Sequence, residues 1–164
     1  MEEYKSVQDT ENLIVIDDGR IDVPILNQFK ETLGVFRFNP TDINIVNRYN
    51  ESVDKFGEIL KPLENYDISA DGEGEGDGVA ALNYAEEKII EVMDYVFDCD
   101  SKSSFFQKTH AFAVNGGRFY CETIFEAVGN FIGKKFETET KKMNARIKKY
   151  THGYKTGKHA KGWQ

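Results

Sequence analysis

Residues 33–42 read LGVFRFNPTD, and this stretch decides what kind of fold the chain can adopt. Leu33-Gly34-Val35-Phe36-Arg37-Phe38 carries the aromatic and β-branched residues of a strand. Asn39-Pro40-Thr41-Asp42 then starts a helix. Asn39 can cap it, Pro40 fits the first helical position, and Asp42 faces the positive end of the helix dipole. Beyond it, Ile43, Val46, Tyr49, Val53, Phe56, Ile59/Leu60 and Leu63 recur at spacings of three and four, one apolar stripe of an amphipathic helix. Pro62 ends or kinks that helix near residues 61–66.

Upstream, Leu13-Ile14-Val15-Ile16 and Ile21-Asp22-Val23-Pro24-Ile25 flank Asp17-Asp18-Gly19-Arg20. Asp-Gly between two apolar runs is a hairpin signal, so the expectation is a hairpin at Asp18-Gly19, with residues 33–38 as a third strand. Pro24 places its segment at a sheet edge or strand end. Residues 1–11 are polar and are expected to fray.

Downstream, four glycines alternate with four acids from Asp71 to Gly78, a flexible and self-repelling loop over 70–78. A second amphipathic helix follows over about 79–97, with Leu82, Ile89, Val92/Met93 and Val96/Phe97 on its apolar face. Residues 98–104 read as a polar turn and Phe105–Val114 as an ambiguous stretch, and Asn115-Gly116-Gly117 is a breaker. A third helix runs from Arg118 to about Ile147 with a stripe of Tyr120, Ile124, Val128, Phe131/Ile132 and Phe136. The expected fold is α+β: a small N-terminal antiparallel sheet followed by a mainly helical body of three principal helices. Residues 1–152 form one domain in this scheme, and 153–164 a basic disordered tail.

The net charge of -7 over 164 residues hides a division. Residues 1–133 hold 11 Lys+Arg against 26 Asp+Glu, and residues 134–164 hold 10 against 2, an acidic body of -15 and a basic end of +8. Aromatic residues, 13% of the chain, demand burial and argue against a wholly disordered protein. Two cysteines, Cys99 and Cys121, without CxxC or CxxH spacing, are too few for a disulfide scaffold or a zinc site. No apolar run reaches the length of a bilayer span, and the first eleven residues lack an apolar signal segment. The expectation is a soluble protein of a reducing cytoplasm without contact to a membrane.

Motifs for chemistry fail one by one. Asp71, Glu73, Glu75, Gly76 and Asp77 sit at EF-hand offsets, but Leu82 stands where the bidentate Glu belongs and Gly78 where an apolar residue belongs. Thr156-Gly157-Lys158 is only the end of a phosphate-binding loop, and acids interrupt the glycines of 72–76. Asp17-Asp18 suits a turn better than acid/base work. His152 and His159 lie in the basic end; His110 with Cys121 is the one nucleophile pair that can be drawn, and it lacks a local signature. No catalytic residue, metal ligand or cofactor site is assigned. The basic run Lys141-Lys142, Arg146, Lys148-Lys149, Lys155, Lys158 and Lys161 could meet nucleic acid, but the -15 body opposes this at long range. An acidic protein, the acidic body of another copy, or a simple solvated tail without a partner is preferred to nucleic acid. Gly129 and Gly133, four apart with Ala127 beside them, would permit a helix to approach closely.

Two segments, Phe36-Arg37-Phe38-Asn39-Pro40-Thr41-Asp42 and Met143-Asn144-Ala145-Arg146-Ile147-Lys148-Lys149-Tyr150-Thr151, frame an order of elements that resembles tail-assembly-chaperone-like proteins of siphophages and prophages in Gram-positive hosts. The resemblance covers about residues 13–152. The acidic glycine loop and the stretch from His152 to Gln164 lie outside its pattern. It implies a non-enzymatic protein of the host cytoplasm that holds the helical tape measure protein, or the tail tube proteins, during tail assembly. The expected contacts are on the third helix: Phe131, Ile132 and Phe136 as the apolar set, Lys141, Lys142, Arg146, Lys148 and Lys149 as the charged set. Two other readings stand beside it, a structural tail or head-completion subunit and a small regulatory or anti-defence protein that binds a host protein. Homo-oligomerisation is open.

Overall fold

The computed structural model describes residues 12–65 and 76–156. A two-stranded antiparallel sheet at the N-terminus is followed by a mostly helical body, so the α+β architecture stands. Strand β1 spans Ile21–Leu26 and β2 Thr32–Phe38, in the register Ile21↔Phe38, Val23↔Phe36, Ile25↔Gly34. Directly paired residues share a face. One face therefore turns Val23, Phe36 and Phe38 to the core, and the other pairs Asp22 with Arg37, whose guanidinium donates to both carboxylate oxygens at 2.6 and 3.0 Å. In this two-stranded sheet each strand is an edge strand, so Pro24 stands at a sheet edge.

The hairpin is not where Asp18-Gly19 suggested. Leu13–Ile16 forms no strand and is exposed. The Asp17 and Asp18 carboxylates accept from the backbone N–H groups of Gly19 and Arg20, at 2.9 and 3.0 Å. Asn39 donates to the Asp18 carbonyl at 2.7 Å, and Arg20 meets Asp98 at 3.4 Å. These bonds tie the Asp-Gly turn to the far end of β2 rather than folding it back on residues 13–16. The true turn is built on Asn27, whose side chain accepts from the N–H groups of Phe29 and Glu31, with Lys30 in the left-handed region at φ 64°.

Helix α1 runs Ile43–Leu60 and is continued by a 3-10 turn, Lys61–Asn65, that contains Pro62. Its cap is Asp42, which accepts from the Asn44 N–H at 2.9 Å; Asn39 instead accepts from Thr41 just upstream. Helix α2 runs Gly76–Phe97. The acidic loop positions 70–75 lie outside the described residues, and Gly76–Gly78 belong to the first turn of α2. The expected polar turn at 98–104 contains a short helix, α3, Ser101–Phe105, because Asp100 caps it through Ser103, and Asp94 accepts from the Ser101 N–H at 2.8 Å and hydroxyl at 2.6 Å. Strands β3 (Val114–Asn115) and β4 (Arg118–Phe119) form a small hairpin. Its turn residues Gly116 and Gly117 take φ of 62° and 75°, which glycine alone adopts freely.

Helix α4 runs Tyr120–Thr156, past the expected end near Ile147 and into the segment assigned to a disordered tail. Ion pairs Glu137–Lys141 and Glu139–Lys142 support its second half. Residues 157–164 lie outside the described set. The core joins the sheet to the helices: Phe36 stacks on Phe38 at 3.8 Å between ring centres and meets Phe105 and Phe97 edge-on, over Ile89, Met93 and Val96 of α2 and Ile124 and Val128 of α4. No helix among the described residues is long and apolar enough to cross a membrane.

Candidate partner-binding groove

The apolar stripe of α1 and its 3-10 turn is divided: Phe56, Ile59, Leu60 and Leu63 are partly buried against the core, and its first half is exposed. Ile45 and Ser52 turn inward, whereas Val46, Tyr49 and Val53 each keep more than two-fifths of their surface in contact with solvent. They form one wall of a groove of about 510 Å³. Phe125, Gly129 and Ile132 of α4 form the facing wall, and Ile89, Val96, Phe97 and Cys121 line it from the core side. Phe56 closes against Phe125 edge-on at 4.8 Å. Among the described residues Glu122 is the only charged side chain in the lining, and its carboxylate accepts from the Phe119 N–H at 3.1 Å at the start of α4. An added Cβ on Gly129 would meet nothing within 4 Å, so the groove is open there. The close helix approach that Gly129 permits is unused by any described element.

The expected contact residues are divided by this geometry. Ile132 lines the groove. Phe131 is half-buried and turns to the core, 6.2 Å from the Phe38 ring, with Lys135 above it at 5.4 Å. Phe136 is the last half-buried residue of α4; every described position from 137 to 151 is exposed. Lys141 and Lys142 are engaged along the helix with Glu137 at 3.1 Å and Glu139 at 3.2 Å. Arg146, Lys148 and Lys149 stand exposed on the projecting half. That half also carries a stripe the sequence reading missed: Met143, Ile147 and Tyr150, exposed by 46, 51 and 68%. Their spacing of four and three was the available signal, masked by the density of lysine around them.

The Cys121 N–H donates to the Ala111 carbonyl at 2.8 Å, so Cys121 adjoins the His110 segment through the backbone, and the His110 ring is engaged with other groups. The His110 ring accepts from the Phe112 N–H through Nδ1 at 3.0 Å, so Nε2 carries the proton toward Asn83 Oδ1, also at 3.0 Å. Glu86, near that ring, accepts from the Ala111 N–H at 2.8 Å. Cys121 is buried at the groove floor, and its thiol is pushed up to about 12, first by burial and then by the Glu122 charge. Cys99 is likewise pushed up to about 12, by burial and then by Asp94, Asp100 and Asp98. Thiols so shifted stay protonated near neutrality and are poor nucleophiles. Among the described residues no group of three His, Cys, Asp or Glu side chains is placed to hold a metal ion. Compared with protein-family models, with curated proteins and with solved structures, the chain has no match in any of the three.

Proposed function

We propose that this chain is a non-enzymatic chaperone of phage tail assembly, which lays an apolar helix of the tape measure protein, or of another tail protein, into the groove between α1 and α4. The observation that carries the proposal is the open apolar groove walled by Val46, Tyr49 and Val53 on one side and Phe125, Gly129 and Ile132 on the other. An amphipathic helix meets such a groove with anchors at successive turns, and a nearly uncharged lining suits a client that is apolar and otherwise prone to aggregate. The divided charge, -15 on residues 1–133 and +8 on 134–164, keeps a protein with exposed apolar surface dispersed. The choice of client rests on the resemblance carried by residues 36–42 and 143–151. Protonated, buried thiols and a histidine occupied by backbone and amide partners favour binding over catalysis.

Co-expression with a helical tape measure fragment tests this. A co-eluting complex is expected, and Val46→Asp with Val53→Asp abolishes it while the helical circular dichroism is retained, since both side chains are exposed. Clean separation of the wild-type chain from the fragment at low salt sinks the proposal. Mass spectrometry of finished particles separates a chaperone, which is absent from them, from a structural subunit, which is retained.

A further inference from the structure

The apolar wall of the groove and the exposed stripe of the projecting half lie on one face of the same helix. Phe125 and Met143, Gly129 and Ile147, and Ile132 and Tyr150 are each 18 residues apart. Five turns of a straight α-helix, at about 3.6 residues each, bring every pair into line. Residues 137–156 extend that face about 30 Å beyond Phe136, at ~1.5 Å per residue. The projecting half cannot cover the groove of its own chain, because it continues the helix that forms the groove wall.

We propose that a second copy of this chain covers it: two α4 helices pair antiparallel, each laying its projecting half into the other's groove. With the two-fold axis between Glu139 and Thr140, Met143 of one copy faces Phe136 of the other, Ile147 faces Ile132, and Tyr150 faces Gly129. The largest exposed side chain of the stripe is then set against the one groove position without a side chain, where the space is open. Charge selects the direction. Parallel pairing would set one basic end of +8 against another, whereas antiparallel pairing sets it against the acidic body of -15 and places Lys142 across from Glu137 of the other copy. The contact is isologous and closes as a dimer. It rests on the reading of the groove as a receiver of helices, but not on the identity of any client.

The full chain is expected to sediment as a dimer at micromolar concentration and low salt, with dissociation favoured as salt rises. Ile147→Glu with Tyr150→Glu, both at exposed positions, is expected to give a folded monomer with unchanged circular dichroism. Register is read by crosslinking. Ile132→Cys and Ile147→Cys in one chain stand about 22 Å apart at ~1.5 Å per residue, beyond the reach of a disulfide within the chain. A disulfide-linked dimer in the double variant, and none in either single variant, supports the antiparallel pair. A wild-type monomer at 100 µM or so, a dimer that survives the Ile147/Tyr150 change, or linkage in the Ile147→Cys single variant overturns it. Co-elution with the tape measure fragment is scored separately: a monomer that still binds the fragment defeats only the dimer, and a dimer that ignores it defeats only the client.

Discussion

The two halves of α4 are one uninterrupted helix, yet only the first turns a face to the core: 18 residues on from Cys121, Ile124 and Val128 stand Glu139, Lys142 and Arg146, whereas Met143, Ile147 and Tyr150 continue the groove face of Phe125, Gly129 and Ile132. From Tyr120 to Phe136 the helix meets α2 and the sheet, and Cys121, Ile124 and Val128 are buried. From residue 137 onward every described side chain through 151 is exposed, including Met143, Ile147 and Tyr150. The core-facing stripe stops with the first half, and the groove-facing stripe runs on through the second without a neighbour among the described residues. A periodic stripe therefore says that a face is built to be covered, and leaves open whether the cover is in the same chain. Helix α1 teaches the same lesson across its width, with Ile45 and Ser52 turned to the core and Val46 and Val53 to the groove.

The strongest way to break this contrast is to truncate one side chain in each region. Phe36, 1% exposed, touches Phe38, Phe97 and Phe105. Phe36→Ala is expected to cost about 3–5 kcal/mol, a large share of the stability of a domain this size. Ile147→Ala, at an exposed site, is expected to change the unfolding free energy by less than about 0.5 kcal/mol in chain dilute enough to be monomeric. Urea titration of both variants checks this. Equal losses would mean that the projecting half is part of the cooperative core.

A second comparison concerns backbone rather than side chains. Gly34 and Gly129 both lie in regular elements, but a Cβ on Gly34 would stand 2.3 Å from the Ser103 carbonyl oxygen and 2.4 Å from that of Ser104, while one on Gly129 meets nothing. Helix α3 sits directly on β2 at this point, held by the Ser104 hydroxyl donating to the Val35 carbonyl at 2.9 Å. Gly34→Ala is expected to destabilise by about 1–3 kcal/mol, since backbone atoms must move. Gly129→Ala, by contrast, adds helix propensity worth up to about 1 kcal/mol and should raise the melting temperature of the monomer. Thermal unfolding of the pair decides it, and a stabilised Gly34→Ala would refute the close packing of α3 on the sheet.

The legible part of the molecule was the part governed by local rules. The helix after Asp42, the helix ending at Phe97 and the helix begun near Tyr120 all follow from apolar spacing. The hairpin was misplaced because Asp18-Gly19 is a genuine turn, but one whose bonds run to Asn39, 21 residues away in sequence, and no short-range rule registers that contact. Asn27 was missed because its turn is made by one amide side chain accepting twice, not by a glycine. The groove was half legible. Its residues Val46, Tyr49, Val53 and Ile132 were all named as apolar faces, and only packing could tell that they face each other across open space.

The two thiols sharpen the contrast between buried and exposed groups through pH. Both are pushed up to about 12, mainly by burial, above the ordinary thiol value. A group whose value is raised in the folded state binds its proton more tightly there, so its contribution is complete below the unfolded value, near 8.5 or so, and is lost as pH climbs toward about 12. Stability should fall over that window, and Cys99→Ser with Cys121→Ser should flatten the fall, whatever the substitutions cost at neutrality. Alkylation by iodoacetamide near pH 8 should be slow in the native chain and fast in urea. Rapid labelling of Cys121 in native protein would contradict the burial of its sulfur.

The smallest effect belongs to the outer face of the sheet, where Asp22 and Arg37 pair in full contact with solvent. The Arg37 hydrogen bond holds the Asp22 carboxyl below the usual carboxylate range, and Asp22 in turn raises Arg37. A depressed carboxyl contributes above its unfolded value and loses that contribution as pH falls through the folded one. Water and salt screen an exposed pair of this kind, so Asp22→Asn should shift the urea midpoint only slightly at neutral pH and low salt. The shift should shrink in molar salt and vanish once acid protonates the carboxyl, below the usual carboxylate range. A difference that persists under both conditions would mean that Asp22 acts through strand packing opposite Arg37 rather than through its charge.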